Sequence, residues 1–300
     1  MKNEIFYFEG DRAKPLIIFI HGMGMDANMW AKPALARVLG GKYPLSVLIE
    51  DKEPKSSFHD LKAKGYPVVA WSQKRPAGPV CVAVEELSEI VTSYESKSDT
   101  GIILVGHSRG GLIARLFSQE HNATVRGIIT IGTPHKGSSM AKWVIYVSPI
   151  TTALKTLMDR NDEEVKSAMH RVLDFLSGDE IREMLPGSDL LKSLSDNRTT
   201  GTGIVSIGGT DPALVKIGKT SLPGILSEIV PEKMLPDEMK KGKGDGLVSA
   251  ESAVYPGCDE HRNFHAHHAG LIFDRESREY IVDVVTSLTA ADISSFSRPV

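Results

Sequence analysis

Short apolar runs recur along the chain, and stretches with helical spacing fill the intervals between them. Leu16–Ile20, Val68–Trp71 and the runs 102–105, 127–131 and 204–207 are close to continuous in apolar residues rather than alternating. That is the pattern of strands buried on both faces. Amphipathic spacing predicts helices over 30–39, 58–64, 82–94 and 110–121, and another at 277–288. Strand and helix in alternation predict βα units: an α/β fold with a mostly parallel central sheet and helices on both faces.

The stretch 139–197 breaks this rhythm, because it has helical spacing but no strand signal. Val165, Ala168, Met169, Val172, Leu173 and Leu176 make one apolar stripe. Asp162, Glu163 and Glu164 supply an acidic first turn, and Gly178 supplies a stop. Shorter helices are predicted over 179–185 and 188–194, divided by Pro186 and Gly187. The expected organisation is therefore a core made of 1–138 and 198–300, with 139–197 inserted as a helical lid or cap.

Length agrees with this, since single cores stop growing near ~250 to 300 residues and the chain has 300. The 35 Lys and Arg against 38 Asp and Glu leave a net charge of −3, so no overall field draws nucleic acid to the surface. Cys81 and Cys258 are far apart and read as free thiols. No basic segment followed by an apolar one opens the sequence and no apolar run is long enough to span a bilayer, so a cytoplasmic protein without a transmembrane segment is expected.

The candidate chemistry lies at the ends of the predicted strands. Gly106-His107-Ser108-Arg109-Gly110 is a Gly-x-Ser-x-Gly sequence between a buried strand and a helix. It is the form of a strained turn that exposes a nucleophilic hydroxyl, and the helix behind it turns its positive end toward a developing oxyanion. Such an oxyanion needs two convergent backbone donors. The Arg109 amide is one, and Met23, in the strand end His21-Gly22-Met23-Gly24, is the natural second.

With these motifs and Gly132-Thr133-Pro134-His135-Lys136-Gly137-Ser138, the chain resembles the bacterial lipase families of the α/β-hydrolase fold, including those of pseudomonads and bacilli. The resemblance extends over nearly the whole length. It implies a carboxylic-ester hydrolase that works through an acyl-enzyme on Ser108, with no cofactor, on a small-molecule or lipid ester, with transient contact at a lipid interface. It also implies that His21, Gly22, His107 and His135 shape or line the substrate pocket. Acyl transfer and the cleavage of thioesters or amides use the same groups and are the alternative reactions. A non-catalytic binding module of the same fold is the rival outside enzymes.

A serine needs a histidine to take its proton and a carboxylate to orient that histidine. In this fold their chain order is serine, acid, histidine. Among His261, His265, His267 and His268, the segment His268-Ala269-Gly270-Leu271-Ile272 resembles the lipase element that carries the base, which favours His268 with His267 as runner-up. Asp245-Gly246-Leu247-Val248 resembles the element that carries the acid. Asp211, which precedes Pro212, is the alternative and reads by default as a turn-capping residue. The histidine cluster also allows a metal site, but no Cys or acidic pattern completes one. Pseudomonad-type lipases have a calcium-ligating aspartate where this chain has Gly270, so no metal is expected.

Overall fold

The computed structural model describes residues 4–38, 43–45, 48–49, 51, 53–121, 125–140, 179–194, 201–213, 216–217, 220–221 and 231–290. Its centre is a seven-stranded sheet. The strands are β1 (Ile5–Phe8), β2 (Leu16–Ile20), β5 (Val68–Trp71), β6 (Ile102–His107), β7 (Val125–Ile131), β8 (Gly203–Gly209) and β11 (Glu260–Phe264). Two-residue ribbons supply β3 (Arg37–Val38) with β4 (Tyr43–Pro44), and β9 (Lys216–Ile217) with β10 (Thr220–Ser221). The order across the sheet is β1-β5-β2-β6-β7-β8-β11, parallel throughout except for β1 against β5.

Alternate residues of each central strand enter two separate cores, as the two-residue strand period requires. Leu16, Ile18 and Ile20 pack with Val84 and Leu87 of α3 (Val80–Tyr94) and with Ile113 and Phe117 of α4 (Arg109–Glu120). Ile17 and Phe19 face the other side, with Phe58 and Leu61 of α2 (Ser57–Ala63). Ile281 and Val285 of the closing helix, Arg275–Ala290, complete that layer. Both faces are covered, which explains why the central strands read as unbroken apolar runs.

The helix expected at 30–39 does not form. A four-residue helix α1 (Asn28–Ala31) stops at Lys32, a 3-10 turn follows at Pro33–Leu35, and the chain then enters β3. Pro33 disfavours helical geometry in the residue before it, and Lys32 is at φ −145°. One edge strand, β11, escapes the apolar pattern. In β11, Glu-His-Arg-Asn-Phe, only Phe264 is buried.

Of the stretch 139–197, residues 139–140 and 179–194 are described. A 3-10 helix at Asp179–Met184 and α5 (Asp189–Ser193) form with Pro186 and Gly187 between them, close to the predicted bounds. The helix expected around 162–177 lies outside the described residues. The closing helix is α6. Among the described residues, no helix is long and apolar enough to cross a membrane.

Candidate active site

Ser108 links β6 to α4 at φ 55° and ψ −125°, and among the described residues it is the one non-glycine with positive φ. A conformation this costly for a residue with a Cβ persists only where the surroundings impose it, and such residues concentrate at functional sites. Here the Ser108 amide donates to the Ile131 carbonyl at 2.8 Å, and the Ser108 carbonyl accepts from Gly111 at 3.0 Å. Gly110 allows the turn to pass the end of β2, since a Cβ there would run into the Ile20 carbonyl. The Ser108 side chain is partly exposed on the lining of a cavity.

His268 lines the same cavity. Its Nδ1 is 2.8 Å from Asp245 Oδ2, and both side chains are buried. The other carboxylate oxygen of Asp245 accepts the amides of Leu247 (3.0 Å) and Val248 (2.7 Å). The His268 amide donates to the Asp245 carbonyl at 2.8 Å, so backbone and side chain join the two loops together. Asp245 Oδ2 accepts from Nδ1, so the proton of the neutral ring sits on Nδ1 and Nε2 is the nitrogen left with a free lone pair. Gly132, at φ 56° beyond β7, lies beneath the pair. A Cβ there would be 3.1 Å from His268 Nδ1 and 3.2 Å from Asp245 Oδ2.

The rival candidates occupy other places. Asp211 uses Oδ1 to accept the Ala213 amide at 3.1 Å, the turn-capping geometry. His267 Nδ1 accepts the Gly270 amide at 3.3 Å. His261 is bound to Ser206 Oγ at 2.8 Å and to Asn263 Oδ1 at 3.1 Å. Among the described residues, no three His, Cys, Asp or Glu side chains converge as metal ligands.

Of the expected pocket residues, Gly22 and His107 line the cavity, whereas His21 and His135 do not; of the two expected oxyanion donors, Met23 lines it and Arg109 does not. His107 Nε2 donates to the His268 carbonyl at 3.0 Å, its ring lies 4.7 Å from that of His268, and burial holds it neutral by lowering its pKa well below the usual value. His21 is buried, with Nδ1 2.8 Å from the Gly22 carbonyl and Nε2 accepting the Gln73 amide at 3.0 Å. Burial lowers its pKa to about 4. His135 is bound to Thr130 Oγ1 at 3.1 Å and packs on Tyr255.

Apart from Ser138, the rest of the cavity wall is apolar. Val38 and Leu48 line it, with Met140, Ile181 and Met184 from the described parts of 139–197 and Leu247 and Val248 from the loop of Asp245. Gln73 was not singled out from the sequence. The available signal was a polar residue two places beyond the end of a buried strand, β5, at the rim where the other strand ends carry their functional groups.

Comparison with solved structures aligns this chain with the mature form of a Bacillus licheniformis lipase at 19% identity, over 94% of this chain and 98% of that one, with a TM-score of 0.58. The chain carries the α/β-hydrolase fold. A Paleococcus ferrophilus monoacylglycerol lipase aligns at 16% identity over 97% and 99% of the two chains, with a TM-score of 0.50. Residues 80–185 match the model of the PGAP1-like alpha/beta domain. A Candida albicans GPI inositol-deacylase is 43% identical over 53 residues, which are 17% of this chain and 14% of that protein. The matched segment thus spans about one seventh of the curated relative.

Proposed function

We propose that the protein hydrolyses carboxylic esters through an acyl-enzyme on Ser108, with His268 as general base and acid and Asp245 as the group that orients it. The observation that carries this reading is the strained Ser108 turn opening onto the same apolar cavity as a histidine whose far nitrogen is held by a buried carboxylate. The Ser108 hydroxyl attacks the ester carbonyl as His268 Nε2 takes its proton, and Asp245 stabilises the imidazolium that results. Charge collects on the former carbonyl oxygen, to which the Met23 and Arg109 amides donate. Among the described residues, neither amide is engaged in a hydrogen bond outside the regular ladders. Collapse of the intermediate sends the proton from His268 to the leaving alcohol. Water then repeats the sequence to release the acid.

The apolar walls favour an acyl chain over a charged substrate. That Met140, Ile181 and Met184 line the cavity supports a covering role for 139–197. The likeness of residues 80–185 to the PGAP1-like domain, together with the short deacylase alignment, supports a second reading in which the alcohol part is an inositol.

The test is hydrolysis of a chain-length panel of p-nitrophenyl esters, of a glycerolipid emulsion and of an acylated inositol, by the native protein and by Ser108→Ala. Removing the nucleophile of a serine triad costs up to about 10⁶ in turnover. Ser108→Ala is expected to be folded and inactive on every substrate. A variant that keeps more than a few per cent of the activity would overturn the proposal, and the preferred substrate separates the two readings.

A further inference from the structure

The Met23 and Arg109 amides are on different loops, one beyond β2 and one beyond β6. No covalent link fixes their spacing, yet an oxyanion needs both donors within a few tenths of an ångström of their places. Gln73, beyond β5, touches both loops. Its side-chain amide donates to the His21 carbonyl at 3.1 Å, and its Oε1 accepts Nη1 of Arg109 at 2.6 Å. Its backbone N–H donates to His21 Nε2 at 3.0 Å. Arg109 also donates its other terminal nitrogen to the Gly78 carbonyl. All three side chains are buried.

The partners force one orientation on each group. A guanidinium only donates and a carbonyl only accepts, so the glutamine amide has its oxygen toward Arg109 and its nitrogen toward His21. His21 Nε2 is an acceptor, so the proton of the neutral ring is on Nδ1 and is donated to the Gly22 carbonyl. That carbonyl belongs to the same trans peptide unit as the Met23 N–H, and across such a unit the two point in opposite directions. Holding the Gly22 oxygen against His21 therefore turns the Met23 N–H away from His21. Met23 lines the cavity, and His21 does not.

We propose that Gln73 is a positioning residue that sets the spacing and angle of the Met23 and Arg109 amides; this rests on the ester-hydrolase reading above. No other neutral side chain of that length offers a donor and an acceptor together. Gln73→Met fills the space but leaves Arg109 and the His21 carbonyl without their partner. Gln73→Glu keeps the acceptor for Arg109 but sets a second oxygen against the His21 carbonyl.

The experiment measures kcat and KM on a p-nitrophenyl ester, normalised to sites titrated with a fluorophosphonate, together with inhibition by an alkylboronic acid that forms a tetrahedral adduct. Native protein, Ser108→Ala and both Gln73 variants are compared. The proposal predicts that kcat falls about 10- to 100-fold in each Gln73 variant with KM within about twofold, and that boronate affinity falls by the same factor as kcat. A merely structural role would reduce the titrated sites and leave kcat per site unchanged. If Gln73→Met fails to fold, Gln73→Glu decides. Native kcat per site in Gln73→Glu, or a loss confined to KM, overturns the positioning role while hydrolysis dependent on Ser108 stands. Absence of such hydrolysis in the native protein overturns both proposals together.

Discussion

Ser108 and His268 line one cavity, with Asp245 buried behind His268, but the serine and the pair are held by opposite means. Ser108 stands between two regular elements, β6 and α4, and its place follows from ladder hydrogen bonds, helix geometry and one strained residue. Asp245 belongs to a segment of short 3-10 turns and an isolated bridge between Gly244 and Ser249. Its position comes from the amides of Leu247 and Val248 and from His268. Packing fixes Ser108, and a small polar network fixes Asp245 and His268. A single change in the network can therefore displace Asp245 or His268 while the fold remains, whereas the backbone turn at Ser108 is held by the β6–α4 junction and stays in place when the hydroxyl alone is removed.

The sharpest way to break that contrast is to exchange the two candidate carboxylates. Asp245→Asn is expected to leave the thermal transition near its native value while cutting turnover by up to ~10⁴, because the amide stabilises the wrong histidine tautomer. Asp211→Asn should keep near-native turnover and cost less than about 1 kcal/mol of stability, because the asparagine Oδ1 still accepts the Ala213 amide. Turnover and denaturation midpoints of both variants check this. An inactive Asp211→Asn beside an active Asp245→Asn would reverse the assignment.

The same contrast governs what could be read from the sequence. The strand before Ser108 and the helix after it announce themselves as Ile102-Ile103-Leu104-Val105 and as an amphipathic repeat, so the strand-to-helix turn at Ser108 was legible from local pattern together with its motif. Asp245 and His268 were legible through resemblance, since nothing periodic marks their segments and the bond between them joins residues 23 apart in sequence. Periodicity failed at 30–39, where Pro33 interrupts an otherwise helical spacing. It also failed at β11, an edge strand whose polar residues carry no alternation. Gln73 stayed hidden because its role depends on three neighbouring strand ends, a relation that exists only after the sheet forms.

A smaller effect sharpens the comparison through acid stability. His21, His107 and His135 are buried without a carboxylate, and burial lowers all three pKa values, that of His21 to about 4. Above pH ~6.5 both folded and unfolded chains keep these rings neutral. As the pH falls below that value the unfolded chain binds protons that the folded chain refuses, so stability declines; for His21 the decline is complete near pH 4. The His21 share is on the order of 3 kcal/mol. Urea midpoints measured from pH 7.5 to 4.5 should fall for the native protein and fall less steeply for His21→Gln. Equal slopes would contradict the buried neutral ring.

The most direct measurement of the central claim is covalent. The native protein, incubated with a fluorophosphonate and digested, is expected to yield one modified peptide with the adduct on Ser108, formed more slowly in Asp245→Asn and not at all in Ser108→Ala. An adduct on another serine that persists in Ser108→Ala, or no adduct on the folded native protein, would contradict the account.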